Sequence, residues 1–321
     1  LTSGFRALGK EEQGFTLIEL SIVLVIIGLI VGGVLVGQHL LSAAAVRAQV
    51  TQVERFNTAA NTFFAKYGYL PGDIKDPDAS SFGFQTRGQY TGEGDGNGVL
   101  EGVAGDIVGG DYCNVAVGAG ETAMFWVDLS TAHMIEGTFN TASTHVVNTA
   151  TITPTSSPSL SAFIPAAKIG NSNYIYVYCG GYYLSAGGTR TADNRNYFGL
   201  SAVASAGAAG VPGRLVSSPG LTVQQAYAID SKSDDGLPQS GRMMAFYLTG
   251  TSVLWAAGGG GQGAYNGTGG GLNPTTAAVP GSATTCYDNG STSGQPQQYS
   301  VEISGGANVN CALSFKMQAG D

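Results

Sequence analysis

Charge is scarce in this chain. Only 11% of its 321 residues are Asp, Glu, Lys or Arg, against about 25% in an ordinary globular protein. With a net charge of −8 there is no surplus of Lys and Arg to neutralise phosphates, which argues against a general nucleic-acid binder. Histidine is rare too: His39 sits in an apolar run, and His133 and His145 stand beside no nucleophile motif. Neither GxSxG nor HExxH occurs, so an enzyme has little support. The four cysteines, Cys113, Cys179, Cys286 and Cys311, include no CxxC pair, and so do not resemble a zinc ligand set.

What is abundant is glycine, at 50 residues, together with Ser and Thr. That composition suits an extracellular, turn-rich β protein, and the length suffices for a substantial core. From Leu20 to Val46 no residue carries a full-time charge. A bilayer core of about 30 Å needs about 20 apolar residues as helix, so this run is long enough to span. A secretory signal would have a shorter apolar stretch followed by a small-residue cleavage site; none stands out, and the run is expected to be retained. An even cysteine count in a chain with such an export segment favours two disulfides in an oxidising compartment. Three pairings are open. Cys286–Cys311 with Cys113–Cys179 is preferred, because the first pair closes the C-terminal end into one loop.

The run is preceded by KEEQGFTLIEL at 10–20, a polar stretch, a glycine, and an apolar helix interrupted at once by Glu19. An ionised Glu in hydrocarbon costs a few kcal/mol or more unless it is paired, so it marks a functional position. Gly14, Phe15, Thr16, Leu17, Ile18 and Glu19 match in order the G-F-T-L-x-E signature of the prepilin family, which this N-terminus resembles. The resemblance implies cleavage by a prepilin peptidase between Gly14 and Phe15, with N-methylation of the new terminal Phe15. It also implies that Glu19 pairs with the positive amine of Phe15, its own or a neighbour's. Neutralising both groups in one contact would favour docking a new subunit in the correct axial register.

Beyond the apolar run, Val46, Val50, Val53, Ala60, Phe64 and Tyr67 follow helical spacing with polar residues between them. Gly68 and Pro71 supply the stop. Gly28, Gly32, Gly33 and Gly37 permit close helix approach or local unwinding, and no proline interrupts residues 15–67. YGYLPGD at 67–73 looks like the junction of large prepilin-like proteins. Farther on, 121–136 and 222–229 read as helices. Strands are expected at 174–184, 242–248, 252–256, 299–303 and 311–317, from their aromatic and β-branched content. Alternating Tyr174, Tyr176 and Tyr178, with Tyr182 and Tyr183, read as strand core in preference to a stacking surface. Residues 138–160 and the glycine runs at 257–274 read as surface loops.

These elements define an α+β class, the pilin fold: a long N-terminal helix packed on an antiparallel β-sheet globular domain. The expected layout is a cleaved leader at 1–14, a helix at 15–67 whose first part (15–46) is transmembrane or filament core, and a β-rich globular domain at 68–321.

Two acidic stretches invite a calcium reading. Glu93, Asp95, Asn97 and Glu101, with the Val99 carbonyl, fall at positions 1, 3, 5, 9 and 7 of a calcium loop, and Gly98 at position 6. Position 12 is Ala104 instead of Glu, and position 1 is Glu instead of Asp, so a glycine-rich turn with solvated carboxylates is the simpler reading. Asp230, Asp234 and Asp235 form the second cluster, with Lys232 in a ligand slot and Gly236 one residue late. A helix-ending turn held by Asp side chains is preferred there, although some secretion pseudopilins hold calcium in a C-terminal acidic loop. No cofactor is required, and calcium is the candidate ion.

The reading as a whole is a structural subunit, inserted in the bacterial inner membrane, processed at Gly14 and polymerised with other pilins into an extracellular or periplasmic filament through an inner-membrane assembly platform. Major pilin, minor pilin and type II secretion pseudopilin stay open. The competing class is a membrane-anchored adhesion or binding module, capturing calcium, sugar or DNA, that does not polymerise.

Overall fold

The computed structural model of the chain describes residues 15–88, 92–102, 119–144, 151–180, 195–208, 211–249, 252–256, 281, 283–290, 292 and 295–319. Gly14, Ala104, Cys113, His145, Tyr182, Tyr183 and the glycine runs at 257–274 lie outside them. Two compact units divide the chain, Leu1–Ala44 and Ala45–Asp321. Helix α1 (Leu17–Tyr67, 51 residues) contributes to both. It stays helical through Gly28, Gly32, Gly33 and Gly37, with no unwinding.

Within the second unit, α1 buries Val46, Gln49, Val53, Phe56, Ala60 and Phe63. These positions advance in alternating steps of three and four, one continuous stripe on a helix. The stripe differs from the one read from the sequence: Phe63 takes the inward place and Phe64 is 41% exposed. Gln49 and Gln52 are buried where they serve the backbone at 166–169. The Gln52 Oε1 accepts the Lys168 N–H (2.9 Å), its Nε2 donates to the Ala166 carbonyl (3.0 Å), and the Gln49 Oε1 accepts the Ile169 N–H (3.1 Å). A buried amide is tolerable when it satisfies backbone groups in this way. At the end of the helix the Gly68 N–H reaches back to the Phe64 carbonyl at 2.8 Å, an αL-type stop.

After the short helix α2 (Asp78–Ser81), helix α3 (Glu121–Thr131) buries every residue from Glu121 to Leu129. A helix apolar on most sides belongs in the interior. Its Trp126 meets Phe56 of α1 edge-on, with ring centroids 5.0 Å apart, worth about 0.5–1.5 kcal/mol beyond area burial. α3 ends earlier than residue 136 because His133 takes a left-handed φ of 55° and the Met134 N–H closes back on the Leu129 carbonyl (2.9 Å).

The strands are β1 (Asn173–Cys179), β2 (Asn196–Ala208), β3 (Val211–Ser218), β4 (Leu221–Thr222), β5 (Met243–Met244), β6 (Phe246–Thr249), β7 (Ser252–Trp255), β8 (Tyr287–Asp288), β9 (Gln298–Tyr299), β10 (Val309–Cys311) and β11 (Leu313–Lys316). Helix α4 (Val223–Ser233) follows β4 and opens with a capping box between Thr222 and Gln225. The main sheet runs β1-β2-β11-β5 with β3 also on β2, all antiparallel. Three two-stranded ribbons, β4/β10, β6/β7 and β8/β9, complete the described strands. The α+β arrangement of a long helix and antiparallel sheets is therefore present.

The sequence reading omits β2 and β3, although β2 is the hub of the sheet. β2 is mostly Gly, Ser and Ala, residues of low strand preference, and the register explains them. Gly199 faces Tyr176 across the ladder, and a Cβ there would lie 2.3 Å from the Tyr176 ring. The ring lies across that gap and its hydroxyl meets the Ser201 hydroxyl at 2.9 Å. Tyr178 stacks on Tyr197 with centroids 5.7 Å apart and meets the Ser314 hydroxyl (2.6 Å), so the described tyrosines of β1 are core, not a stacking surface. Of the expected strand 299–303 only Tyr299 falls in β9, paired with Tyr287, and Ile303 enters a 3-10 turn.

Cys286 and Cys311 are bonded, with Cα atoms 5.1 Å apart and a sequence separation of 25. Closing a loop of that length contributes about 3.5 kcal/mol in the chain-entropy account. Cys179 is also disulfide-bonded; Cys113, its expected partner, lies outside the described residues.

Candidate functional site

Two places concentrate unusual chemistry, the start of α1 and a pair of acidic clusters in the second unit. At the first, Phe15 and Thr16 are non-helical, Phe15 is 87% exposed, and the helix begins at Leu17. The Thr16 Oγ1 accepts the Glu19 N–H (3.3 Å), while the Glu19 Oε2 accepts the Thr16 N–H (2.8 Å) and the Thr16 hydroxyl (2.7 Å). This reciprocal pair is a capping box, which satisfies helix-start donors that have no intrahelical acceptor. Glu19 is thus tied to Thr16 by both its main chain and its carboxylate.

Around it, every large apolar side chain from Leu17 to Leu41 is between 50% and 91% exposed. The helix has an 18-residue window of mean hydropathy 2.9, long and apolar enough to cross a membrane. A continuous apolar surface of this extent calls for lipid or other apolar helices, and Glu19 is the carboxylate within it.

In the second unit, carboxylate oxygens of Asp73, Asp95 and Glu121 come within 4.8 Å of one another. Asp73 arrives on the turn after α1, and Glu121 on the first turn of α3. Between them the chain runs Gly94-Asp95-Gly96-Asn97-Gly98, with all three glycines at φ between 76° and 97°, a region few side chains accept. That alternation turns the N–H groups inward. Gly96 and Gly98 donate to the two Asp73 oxygens (2.8 Å each), and Gly94 (3.0 Å) and Glu101 (2.8 Å) donate to Glu121. Asp95 accepts the Asn97 N–H and side-chain amide, and Asn97 accepts the Val99 N–H.

Of the residues expected at a calcium loop, only Asp95 joins this trio. Glu93 and Glu101 are buried, Asn97 is exposed, and Val99 is buried with its N–H on Asn97. Asp73 and Glu121 were not read from the sequence because they lie outside the 93–104 window. The available signal was an acid immediately after Leu70-Pro71-Gly72 and another opening an apolar helix.

The second trio, Asp230, Asp234 and Asp235, is brought together as its spacing suggests. Asp230 accepts the Gly236 N–H (3.1 Å) and the Tyr299 hydroxyl (2.7 Å). Asp234 accepts from the Arg242 and Met243 N–H groups, and Asp235 from Leu237 N–H and the Ser240 hydroxyl. These bonds fasten the chain after α4, the turn role preferred above.

Burial pushes Asp73 up to about 7, with the Asp95 charge adding to it against the Gly98 and Gly96 N–H groups. Burial likewise raises Asp230 to about 7, and raises Glu121 well above the usual carboxylate range. Unfolded carboxyls titrate near 4. The native state therefore holds these protons more tightly than the unfolded chain does. The resulting stability is complete below about pH 4 and is lost as pH rises through about 7. In chelator-containing buffer the unfolding free energy of the second unit should fall by about 2 kcal/mol or more between pH 5 and pH 8. Urea titrations at the two pH values check this, and Asp73→Asn should flatten the slope.

Comparison with known proteins bears on the N-terminus. Residues 9–35 fit the family model described as the prokaryotic N-terminal methylation motif. That motif is the prepilin-type signature of type IV pilins and pseudopilins. No curated protein and no solved structure matches the chain.

Proposed function

We propose that this chain is a filament subunit of the type IV pilin or pseudopilin class, cut by a prepilin peptidase after Gly14, methylated at Phe15, and assembled with other pilins through the first half of α1. The observation that carries the reading is an exposed apolar stretch of α1, from Leu17 to Leu41, holding one acidic residue, Glu19, four positions after the amine that cleavage would create. In the bilayer that carboxylate is costly unless paired, and the amine of an incoming or neighbouring copy is the cation the motif supplies. The precursor resides in the inner membrane, and the second unit faces the periplasm or the exterior once assembled. The role is structural, with no catalytic step assigned to the chain.

The test is the mass of the chain recovered from cells, in membranes and in the filament fraction released by shearing. The expected species lacks residues 1–14, carries one methyl group at Phe15, and is found in filaments. A chain that keeps residues 1–14 and occurs only as single molecules in the membrane would overturn the proposal in favour of an anchored binding module.

A further inference from the structure

We propose that Thr16 is a positioning residue for leader removal, because its capping box fixes the helix boundary immediately after the bond to be cut. The inference rests on the reading that the Gly14–Phe15 peptide is hydrolysed.

The first intrahelical bond runs from the Leu20 N–H to the Thr16 carbonyl (3.2 Å). Together with the reciprocal Thr16–Glu19 bonds, this makes Thr16 the N-cap, a residue outside the helix whose carbonyl already belongs to it. Gly14, Phe15 and Leu17 offer no side-chain oxygen, so the cap depends on Thr16. The same device recurs in this protein where it can be compared: Thr222 caps α4 with Gln225 in the role that Glu19 plays here.

The cap matters because of what surrounds it. In apolar surroundings an unsatisfied backbone N–H costs several kcal/mol. An uncapped helix satisfies those donors by adding another turn upstream. Lys10, Glu11, Glu12 and Gln13 are all good helix formers, so the added turn would take in Gly14 and Phe15. Hydrolysis requires water to add to the Gly14 carbonyl carbon, the C–N bond to break, and Phe15 to leave as the free amine. A peptide within a helical turn has its carbonyl engaged and must be unwound before that addition. Thr16 keeps Phe15, the residue on the amine side of that bond, outside the helix. The same cleavage then creates a cation that competes with the Thr16 N–H for the Glu19 carboxylate.

Capping strength and side-chain shape rank substitutes differently, and this makes the idea testable. Ser and Asn carry a side-chain oxygen that caps about as well as Thr, whereas Ala and Val cap poorly; Val is nevertheless the closest in shape. The experiment follows processing of the full-length precursor in membranes containing the peptidase, normalised to inserted precursor. Thr16→Ser and Thr16→Asn should be cut within about twofold of the wild-type rate. Thr16→Ala and Thr16→Val should be slower by about fivefold, the rate equivalent of a typical cap. Rescue by Ser and Asn but not by the isosteric Val is the signature of capping. If Val is cut as fast as Ser, or if Asn is cut as slowly as Ala, the capping role is overturned. If the wild-type chain itself is never cut, the cleavage reading fails instead, a separate outcome visible in the same assay.

Discussion

Glu19→Gln is expected to be processed and inserted normally yet to be at least tenfold depleted from sheared filaments. Glutamine at this position keeps the capping box, as Gln225 does for Thr222 in α4, and keeps the side chain's size. It removes only the negative charge. Two opposite charges about 4 Å apart gain about 4 kcal/mol at the effective dielectric of a partly shielded site, so charge loss alone should dominate assembly. Glu19→Ala removes both charge and cap acceptor, and should lose filament entry and slow leader cleavage together. Comparing the two separates axial pairing from helix capping. Normal filament content for Glu19→Gln would remove the electrostatic basis of the proposed function.

The second large effect is expected in the second unit. Arg87 and Asp128 form an ion pair at 2.5 Å with side chains 0% and 1% exposed. The Arg87 Nε also donates to the Ile74 carbonyl (3.1 Å), and the Gly72 N–H donates to Asp128 (2.7 Å). The pair thereby fastens the turn after α1 to α3. Burial raises Asp128 above the usual carboxylate range even though Arg87 opposes it, so desolvation outweighs the attraction. Removing one partner leaves an uncompensated buried charge, which costs about 3–5 kcal/mol. Arg87→Met should therefore lower the urea unfolding free energy by about that amount, and the double variant Arg87→Met, Asp128→Leu should recover most of the loss. A single variant within about 1 kcal/mol of wild type would mean that the charges are not isolated from water.

The legible parts of this protein were those set by local chemistry. The spacing from Gly14 to Glu19, the uncharged run from Leu20 to Val46, and the Thr222 start of α4 are all written in neighbouring residues. What escaped depends on distant partners. β2 goes unassigned because Gly199, Ser201 and Ala202 have little strand preference, yet Gly199 is small to admit Tyr176 from another strand. Gln49 and Gln52 read as solvent-facing because nothing local reveals the backbone at 166–169 that they serve. Phe63 and Phe64 are adjacent and equally apolar, so only packing decides which turns inward. The acidic trio escaped for the same reason: the loop 94–98 is legible, whereas Asp73 and Glu121 come from elements on either side of it.

That loop is held by its main chain, through carboxylates that belong to other elements. Its outline is therefore imposed largely from outside, like a ribbon gripped at fixed points, with the exposed Asn97 side chain adding a local tie to the Val99 N–H. The contour survives replacement of the groups that make no such bond, provided the small alternating residues stay and the two outside acids remain. Such a segment keeps its shape from the body beneath it, whatever its outward side chains present.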